Sequence, residues 1–447
     1  MKKKGLDLSA LLQIFDKAAG VFTQLFDERL LTVALTALMG YTVLFTQRKF
    51  PMRWMFFVLF GMILVLIVTF TARRPELQRV RWNKAMTILW FALHGMMLVS
   101  GFFYEDWLPE SLALLVAYPF MFSVFSARED DSTFSSMLKA CVFAVVPFLV
   151  WSYATKPLVI GYPGYAGVFY DANGLGMCCI VMSTSALLLT YVRWRQAKRR
   201  AALIYAILGV IAAATMLLTL SRSALAAYIL VIAVLACALI VGTVKRPARV
   251  IAALLVVAVA LTGLGVYVSV LKFKTVARED YETALHDNER YGLPITVEEP
   301  EERRITLDDL TNDRYGIWVK ALENLTWNGH ETAVVEEWVA RDGGERRYNS
   351  HNSFVAVAYN NGWPAGILFL CYVALSVFRA GKYYWINRHR TVYAITPLAF
   401  SVVFIVESLF ESVYAPFSAV GCAYLLVQGV LLREDLTACG AQAEKTA

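Results

Sequence analysis

Charged residues are scarce in this chain: they make up 17% of its 447 residues, whereas 58% are hydrophobic. A soluble protein of this length carries about a quarter charged residues. The apolar residues come in blocks of about twenty, which is the length at which a helix spans a bilayer. The sequence therefore predicts an all-α, polytopic integral membrane protein and excludes an ordinary soluble enzyme.

The common motifs for binding metals and nucleotides are also missing. The chain has no HExxH, no paired-cysteine ligand spacing and no DxD pair in a loop, which are frequent signs of a metal site. It has neither a Walker A motif nor GxGxxG, which nucleotide-binding loops use. We therefore expect no metal, no cofactor, and neither nucleotide nor nucleic acid as a partner.

Hydrophobic segments long enough to be transmembrane helices recur about twelve times along the chain. The cores of the predicted spans are 30–46, 54–71, 86–103, 110–126, 137–154, 174–192, 201–220, 223–242, 250–271, 354–378, 392–410 and 413–432. The predicted organisation is a cytoplasmic or interfacial amphipathic segment at 1–29, helices one to nine at 30–271, a large loop at 272–350, helices ten to twelve at 351–432 and a cytoplasmic tail at 433–447.

Loop charges predict the orientation of these spans, because cytoplasmic loops are enriched in lysine and arginine. Most of the strongly basic loops fall on one side of a twelve-span count, which predicts that both termini are cytoplasmic. The long loop at 272–350 contains 11 Lys/Arg and 18 Asp/Glu, a formal charge of −7, so the rest of the chain carries +14. This segregation of charge predicts that the long loop lies on the external side.

Part of the long loop has the pattern of a short amphipathic helix. In TLDDLTNDRYGIWVKALEN, Asp308 or Thr311 is suited to cap the helix, and Ile317, Trp318 and Leu322 would form its apolar face. We expect this loop to form a small helical cap over the membrane domain.

Two arginines stand out as candidate anion-binding residues. Arg222 lies in the turn LSRSA between two spans on the predicted external side, where anchoring arginines are less common than on the cytoplasmic side. It is either an interfacial arginine that snorkels or an anion-binding residue facing a cavity. Arg314 opens the predicted loop helix, and it either binds phosphate oxygens in pairs or pairs with Asp309 or Asp313.

His351 lies in NSHNSF, where the polar loop meets the next apolar span. Histidine is a poor helix N-cap, whereas Asn352 and Ser353 beside it are good ones. The ring is therefore free for another role, and imidazole exchanges protons near neutral pH. His94, in the middle of a span, is interpreted instead as a structural residue that bonds across helices.

A glycine-rich segment, GYPGYAGVFYDANGLGM, precedes the sixth span on the same predicted side. Asp171 and Asn173 are followed directly by Gly174 and Gly176. Glycines at a helix mouth let the backbone approach a ligand closely. We therefore include Asp171 and Asn173 among the candidate supporting residues.

This set of motifs resembles the superfamily of O-antigen ligases and polymerases, over roughly residues 165–375. The SRxA motif of the family falls on Ser221 and Arg222, and its R…W loop helix falls on Arg314 and Trp318. The H-[NS]-x-[FYL]…G motif falls on the residues His351, Asn352, Phe354 and Gly362. The chain departs from the family at LTWNGHET, where an NP-x-x-G-x-G turn is common.

The resemblance implies a GT-C-like membrane glycosyltransferase that uses an undecaprenyl-pyrophosphate glycan. The single large, late loop favours an O-antigen ligase acting on lipid A–core at the periplasmic face of a bacterial inner membrane, among membrane lipids. His351 would be the general base and Arg222 and Arg314 would bind the pyrophosphate, in a metal-independent, inverting transfer. The supporting residues would be Asn352, Asn173, Asp171, Trp318 and Ser221.

Three alternatives remain open. An O-antigen polymerase and a protein O-oligosaccharyltransferase share the histidine loop. A transporter of lipid-linked glycans would also need polar residues within the membrane. Such a transporter should line a path from one face to the other, whereas the polar candidates of this sequence gather at one face.

Overall fold

A computed structural model of the chain describes residues 28–45, 80–104, 108–127, 130–156, 164–241, 314–339, 345–415 and 417–438. Helix predominates in these ranges, in agreement with the all-α prediction. The helices are α1 (Glu28–Phe45), α2 (Lys84–Phe103), α3 (Leu108–Leu112), α4 (Tyr118–Ala127), α5 (Asp130–Thr155), α6 (Ala172–Arg195), α7 (Arg199–Thr219), α8 (Arg222–Val241), α9 (Arg314–Glu323), α10 (Ser353–Asn361), α11 (Trp363–Asn387), α12 (Thr396–Phe410) and α13 (Ala419–Leu431). A π-helical turn, Ala113–Ala117, joins α3 to α4.

Several of these helices have the properties of transmembrane segments. Within the described ranges, α2, α5, α6, α7 and α11 are long and apolar enough to cross a membrane, and α1, α8, α12 and α13 are shorter apolar helices. The chain is therefore a multi-pass membrane protein. The count of twelve spans remains a prediction, since the predicted cores 54–71 and 250–271 lie outside the described residues.

The predicted tenth span, 354–378, is wrong as a single helix. The structure divides this stretch into α10 and α11 at Gly362, whose φ is +89°. A Cβ atom at Gly362 would collide with the backbone carbonyl of Trp327, so only glycine fits this left-handed position without strain. The next helix then starts with Pro364 in its first turn, where proline is well tolerated.

The long loop contributes a short helix, as predicted, but its buried face differs from the prediction. Helix α9 buries Ile317, as predicted, and Trp318 is partly buried against a small apolar cluster, but Ala321 takes the inward position instead of Leu322, which is 52% exposed. The predicted caps, Asp308 and Thr311, lie outside the described residues. The loop also forms a small antiparallel hairpin of β1 (Glu336–Val339) and β2 (Glu345–Tyr348), which the all-α prediction did not include.

The segment between α9 and β1 is hydrogen-bonded to the membrane helices. The backbone N–H of Trp363 donates to the carbonyl of Thr326 (3.0 Å), and the hydroxyl of Ser100 on α2 donates to the carbonyl of Asn328 (2.7 Å). Gly329, with φ +88°, lies against the backbone of Asn360. The part of the sequence that departs from the family turn thus holds the loop against α2 and the α10–α11 junction.

Helix direction brings several termini to one end of the bundle. Helices α6 and α7 form an antiparallel hairpin, and α8 then packs along α6 and α12. The N-termini of α6, α8 and α10 consequently lie at the end where α12 finishes. His94 braces the same region, since its Nδ1–H donates to the carbonyl of Trp90 and its Nε2 accepts from the hydroxyl of Tyr414 (2.7 Å each), as expected for a structural histidine.

The opposite end of the bundle is closed by a buried polar cluster that includes the C-terminal segment. Arg433 is 1% exposed and forms an ion pair with Asp130 (2.5 Å), which also accepts a hydrogen bond from Tyr383. Arg433 Nε donates to the carbonyl of Ser126 (2.8 Å). Asn387 extends the cluster along the tail by accepting from the N–H of Ala438 (2.8 Å).

We expect Arg433→Ala to destabilise the protein by about 3–5 kcal/mol, because it leaves Asp130 buried without its cation. Thermal unfolding of purified protein in detergent measures this change, with the exposed Arg195→Ala as the matched control. An unfolding temperature equal to that of wild type would contradict the structural role assigned to this cluster.

Candidate active site

Glu411 is the centre of a polar cluster at the end of the bundle where α12 finishes. Its Oε1 atom accepts from Arg314 Nη2 and from Asn173 Nδ2 (2.9 Å each), and its Oε2 atom is 3.0 Å from Nδ1 of His351. The carboxylate side chain is 11% exposed. A single residue therefore joins three segments of the chain: the start of α6, the start of α9 and the turn that precedes α10.

His351 is held in a defined orientation. A carboxylate can only accept a hydrogen bond, so Nδ1 of His351 carries a proton in this contact. Nε2 is then the acceptor atom of the ring in its neutral form. The backbone of His351 is left-handed, with φ +44°, a conformation that costs a non-glycine residue about 1–3 kcal/mol. The side chain of Asn349 supports it by accepting from the His351 N–H (2.9 Å).

The residues after the histidine fix the start of α10. Asn352 is the N-cap, and its side-chain oxygen accepts from the N–H groups of Phe354 (2.9 Å) and Val355 (3.1 Å). The Ser353 hydroxyl donates to the carbonyl of Glu411 (3.0 Å). Asn352 therefore caps α10, as the sequence predicts, so the imidazole of His351 is not needed for the cap.

Arg314 and Trp318 attach the loop helix to this cluster. Besides its contact with Glu411, Arg314 donates through Nη1 to the carbonyl of Phe410. Trp318 donates through its indole N–H to the carbonyl of Ser350 (2.6 Å). The R…W pair thus holds both the carboxylate and the segment that carries His351.

Arg222 is positioned by a tight turn between α7 and α8. Leu220 is left-handed, with φ +57°, and Ser221 packs so closely on α6 that a Cβ atom at Gly176 would lie 2.8 Å from the Ser221 Cβ. The Arg222 Nη1 atom is buried and has no hydrogen-bond partner among the described residues. Arg222 also interacts electrostatically with Arg314, so a second positive charge stands near the cluster.

The structure brings only some of the predicted site residues into contact with Glu411. Asn173 contacts Glu411 directly, whereas Asp171 is exposed and caps α6 by accepting from the N–H of Gly174 (2.5 Å). The Ser221 hydroxyl lies 3.3 Å from that of Ser223. Asp171 and Ser221 shape the two helix starts, and neither side chain contacts Glu411.

The sequence motifs do not include Glu411 as a site residue, and they do not include Glu407, four residues before it. Both lie in FIVESLFES, in or directly after an apolar helix. Ionisable residues at membrane depth are uncommon and often functional, so two glutamates spaced i and i+4 were the available signal.

The described residues give no grouping suited to a metal ion: no three His, Cys, Asp or Glu side chains are placed together for that purpose. The charged groups that could hold an anion are Arg222 and Arg314. The expectations that the protein needs no metal and no cofactor remain predictions.

Fold and site together define a polytopic helical membrane protein with a histidine–carboxylate–arginine cluster at one end of its bundle. The family model of O-antigen ligase matches residues 207–370, a stretch that contains Arg222, Arg314 and His351. No curated protein matches the chain. The family match supports membership of the O-antigen ligase superfamily, so the family predicted from the motifs is confirmed.

This membership has general consequences for function. It supports a function of the O-antigen ligase or polymerase type, and it implies an enzyme related to glycosyl transfer. Lipid-linked polysaccharide and lipid A–core are the substrates that the family implies in general.

Proposed function

We propose that the protein is an O-antigen ligase that transfers glycan from undecaprenyl pyrophosphate to a sugar hydroxyl of lipid A–core. The reaction would take place at the periplasmic face of the bacterial inner membrane, with both termini in the cytoplasm. The external loop 272–350 would cover the site, and the lipid tails would enter sideways between helices.

The hydrogen bond from His351 to Glu411 carries this proposal. It fixes the proton on Nδ1 and leaves Nε2 as the basic atom of the neutral ring. A histidine oriented in this way by a carboxylate is suited to act as a general base. The His351 side chain is 32% exposed, so an acceptor hydroxyl can approach it.

Arg222 supports the assignment of an anionic substrate. A buried guanidinium nitrogen without a partner is costly unless a ligand supplies one, and Arg222 Nη1 is such an atom among the described residues. A pyrophosphate oxygen is a fitting acceptor, because guanidinium groups bind phosphates through paired hydrogen bonds.

Arg314 has a double role in this proposal. Its Nη1 and Nη2 atoms each donate one hydrogen bond to the protein, to the Phe410 carbonyl and to Glu411. A guanidinium carries five N–H groups, so three remain for substrate oxygens. Arg314 would hold Glu411 in place while adding positive charge where the pyrophosphate leaves.

The proposed chemistry is a single displacement. The acceptor oxygen attacks the anomeric carbon and transfers its proton to Nε2 of His351, while the bond from that carbon to the pyrophosphate oxygen breaks. Undecaprenyl pyrophosphate leaves with the bonding electrons, and Arg222 and Arg314 stabilise its negative charge. One displacement inverts the configuration at the anomeric carbon.

The transporter alternative is less well supported by the geometry. The described residues include a second buried polar cluster, around Asp130 and Arg433, at the opposite end of the bundle. Its charges are paired with each other and with backbone carbonyls, and it secures the C-terminal segment. It therefore serves the fold and gives no support to a polar path across the membrane.

Complementation distinguishes the ligase from the polymerase. We expect the protein to restore smooth lipopolysaccharide in a strain that lacks its ligase but has a matching core acceptor. In a strain that lacks its polymerase and attaches a single repeat, we expect no change in the banding pattern. Restored repeats in the second strain, with no effect in the first, would show that the chain is a polymerase.

A further inference from the structure

Glu407 is a second carboxyl group beside the candidate site, and its surroundings are the opposite of those of Glu411. It lies in the last turns of α12, four residues before Glu411, which follows the end of the helix in an extended conformation. Its side chain is fully buried, and neither carboxyl oxygen has a partner in good hydrogen-bond geometry among the described residues, although the Ser223 hydroxyl at the start of α8 lies near enough to interact with it. Glu411, in contrast, contacts Arg314, Asn173 and His351.

The positions of the nearby arginines indicate the charge of Glu407. A buried carboxylate without a partner costs several kcal/mol, and Arg314 is within electrostatic range of Glu407. Arg314 nevertheless directs its terminal nitrogens to Glu411 and to the carbonyl of Phe410, and Arg222 Nη1 stays without a partner in the described structure. An ionised Glu407 would attract Arg314, whereas a neutral acid would leave it on Glu411.

We propose that Glu407 is held in its neutral acid form, and that this neutrality keeps Arg314 on Glu411, beside the binding site for an anionic, lipid-linked glycan donor. The two arginines then exceed Glu411 by one positive charge, which favours a phosphate group. Ionisation of Glu407 would cancel that excess and offer Arg314 a competing carboxylate. The identity of the ligand rests on the proposed function, whereas the charge of Glu407 rests on its burial and on the contacts that Arg314 makes elsewhere.

The groups that interact with Glu407 among the described residues come from three neighbouring segments. They are the Ser223 hydroxyl at the start of α8, Glu411 directly after α12, and Arg314 at the start of α9.

The first test needs no substrate. Thermal unfolding of the purified full-length protein is measured from about pH 6 to about pH 9 for wild type and for Glu407→Gln, whose amide cannot ionise. Wild type is expected to lose stability as pH rises, because the unfolded chain releases a proton that folded Glu407 retains. Glu407→Gln should lack this loss of stability. If the unfolding temperatures of the two proteins change with pH in the same way, the proposal is overturned.

The second test measures transfer and the KM for the glycan donor over the same pH range. Wild type is expected to show a several-fold increase in this KM towards alkaline pH, and Glu407→Gln should show a flat profile with wild-type activity at neutral pH. Glu411→Gln is the comparator, and it should lose transfer at every pH because the amide has one acceptor oxygen for three donors and lacks the negative charge that pairs with Arg314.

A folded Glu407→Gln that loses transfer at neutral pH would overturn the proposal, since it would show that a carboxylate is required. Glu407→Met is measured alongside. If Glu407→Gln and Glu407→Met both fail to fold at neutral pH, the proposal is also overturned. In that case neither a polar nor an apolar neutral side chain can replace the acid. If no protein transfers glycan at any pH, the proposed function fails, while the unfolding curves still decide the state of Glu407.

Discussion

Replacement of His351 by alanine is expected to reduce glycan transfer by about 10²–10⁴-fold, which is the usual contribution of a general base. The protein should still fold and insert, because the cap of α10 is supplied by Asn352 and not by the imidazole. Binding of the lipid-linked glycan donor should also persist, since a base acts on the acceptor hydroxyl in the transition state. Single-turnover transfer, donor binding and thermal stability are measured on the same preparation.

The matched control for this variant is His389→Ala. His389 is an exposed histidine in the loop after α11, at the end of the bundle opposite Glu411, and its replacement should leave all three measurements unchanged. Wild-type transfer by His351→Ala would remove the histidine from the mechanism. A loss of transfer explained by aggregation of the variant would likewise give the general-base role no support.

Replacement of Arg222 by lysine is expected to abolish most ligation although it preserves the charge. Lysine presents a point charge and lacks the planar fork that grips two phosphate oxygens. A hydrogen bond to a charged group contributes about 1.5–3 kcal/mol, so the affinity for the glycan donor should fall by about 10- to 100-fold. O-antigen banding on lipopolysaccharide gels and donor binding by purified protein measure the effect.

Arg195→Lys is the control for Arg222→Lys, because Arg195 is an exposed arginine at the far end of α6. It should ligate as wild type does, and membrane levels of both variants should equal that of wild type. Normal banding from Arg222→Lys would place Arg222 outside the site and would favour the alternative interpretation of a snorkelling arginine.

The sequence was sufficient to predict the long transmembrane helices and the main polar candidates. Helices α2, α5, α6 and α7 are uninterrupted apolar windows, and in such windows composition alone indicates a helix that spans a bilayer. His351 and Arg314 are candidates in the sequence because polar side chains next to apolar spans are costly unless they have a function or a partner. The structure joins both residues through Glu411.

The errors have physical causes that composition cannot reveal. The apolar content continues across Gly362, so the break between α10 and α11 depends on a close backbone contact with Trp327 that only the fold creates. The rotation of α9 about its own axis buries the side chain of Ala321 in the protein and exposes that of Leu322, although leucine is the more apolar residue. The hairpin of β1 and β2 is a short, charged segment without a clear alternating pattern.

Glu411 illustrates a different difficulty. In the sequence it follows an apolar run and resembles an ordinary loop acid, because its partners are distant: Asn173 precedes it by more than two hundred residues. Only the return of α12 to the end of the bundle where α6 and α8 begin brings these side chains together. The central carboxylate of the site is therefore a product of topology.

The central claim is that this site transfers glycan from a polyprenyl-pyrophosphate carrier to lipid A–core without a divalent metal. The most direct measurement uses purified full-length protein, undecaprenyl-pyrophosphate-linked O-antigen and lipid A–core in excess EDTA, with products identified by mass spectrometry. We predict glycosylated lipid A–core and an equal amount of released undecaprenyl pyrophosphate, and no product from His351→Ala. Elongated carrier-linked glycan in place of glycosylated core, or ligation that appears only after magnesium or manganese is added, would contradict the account.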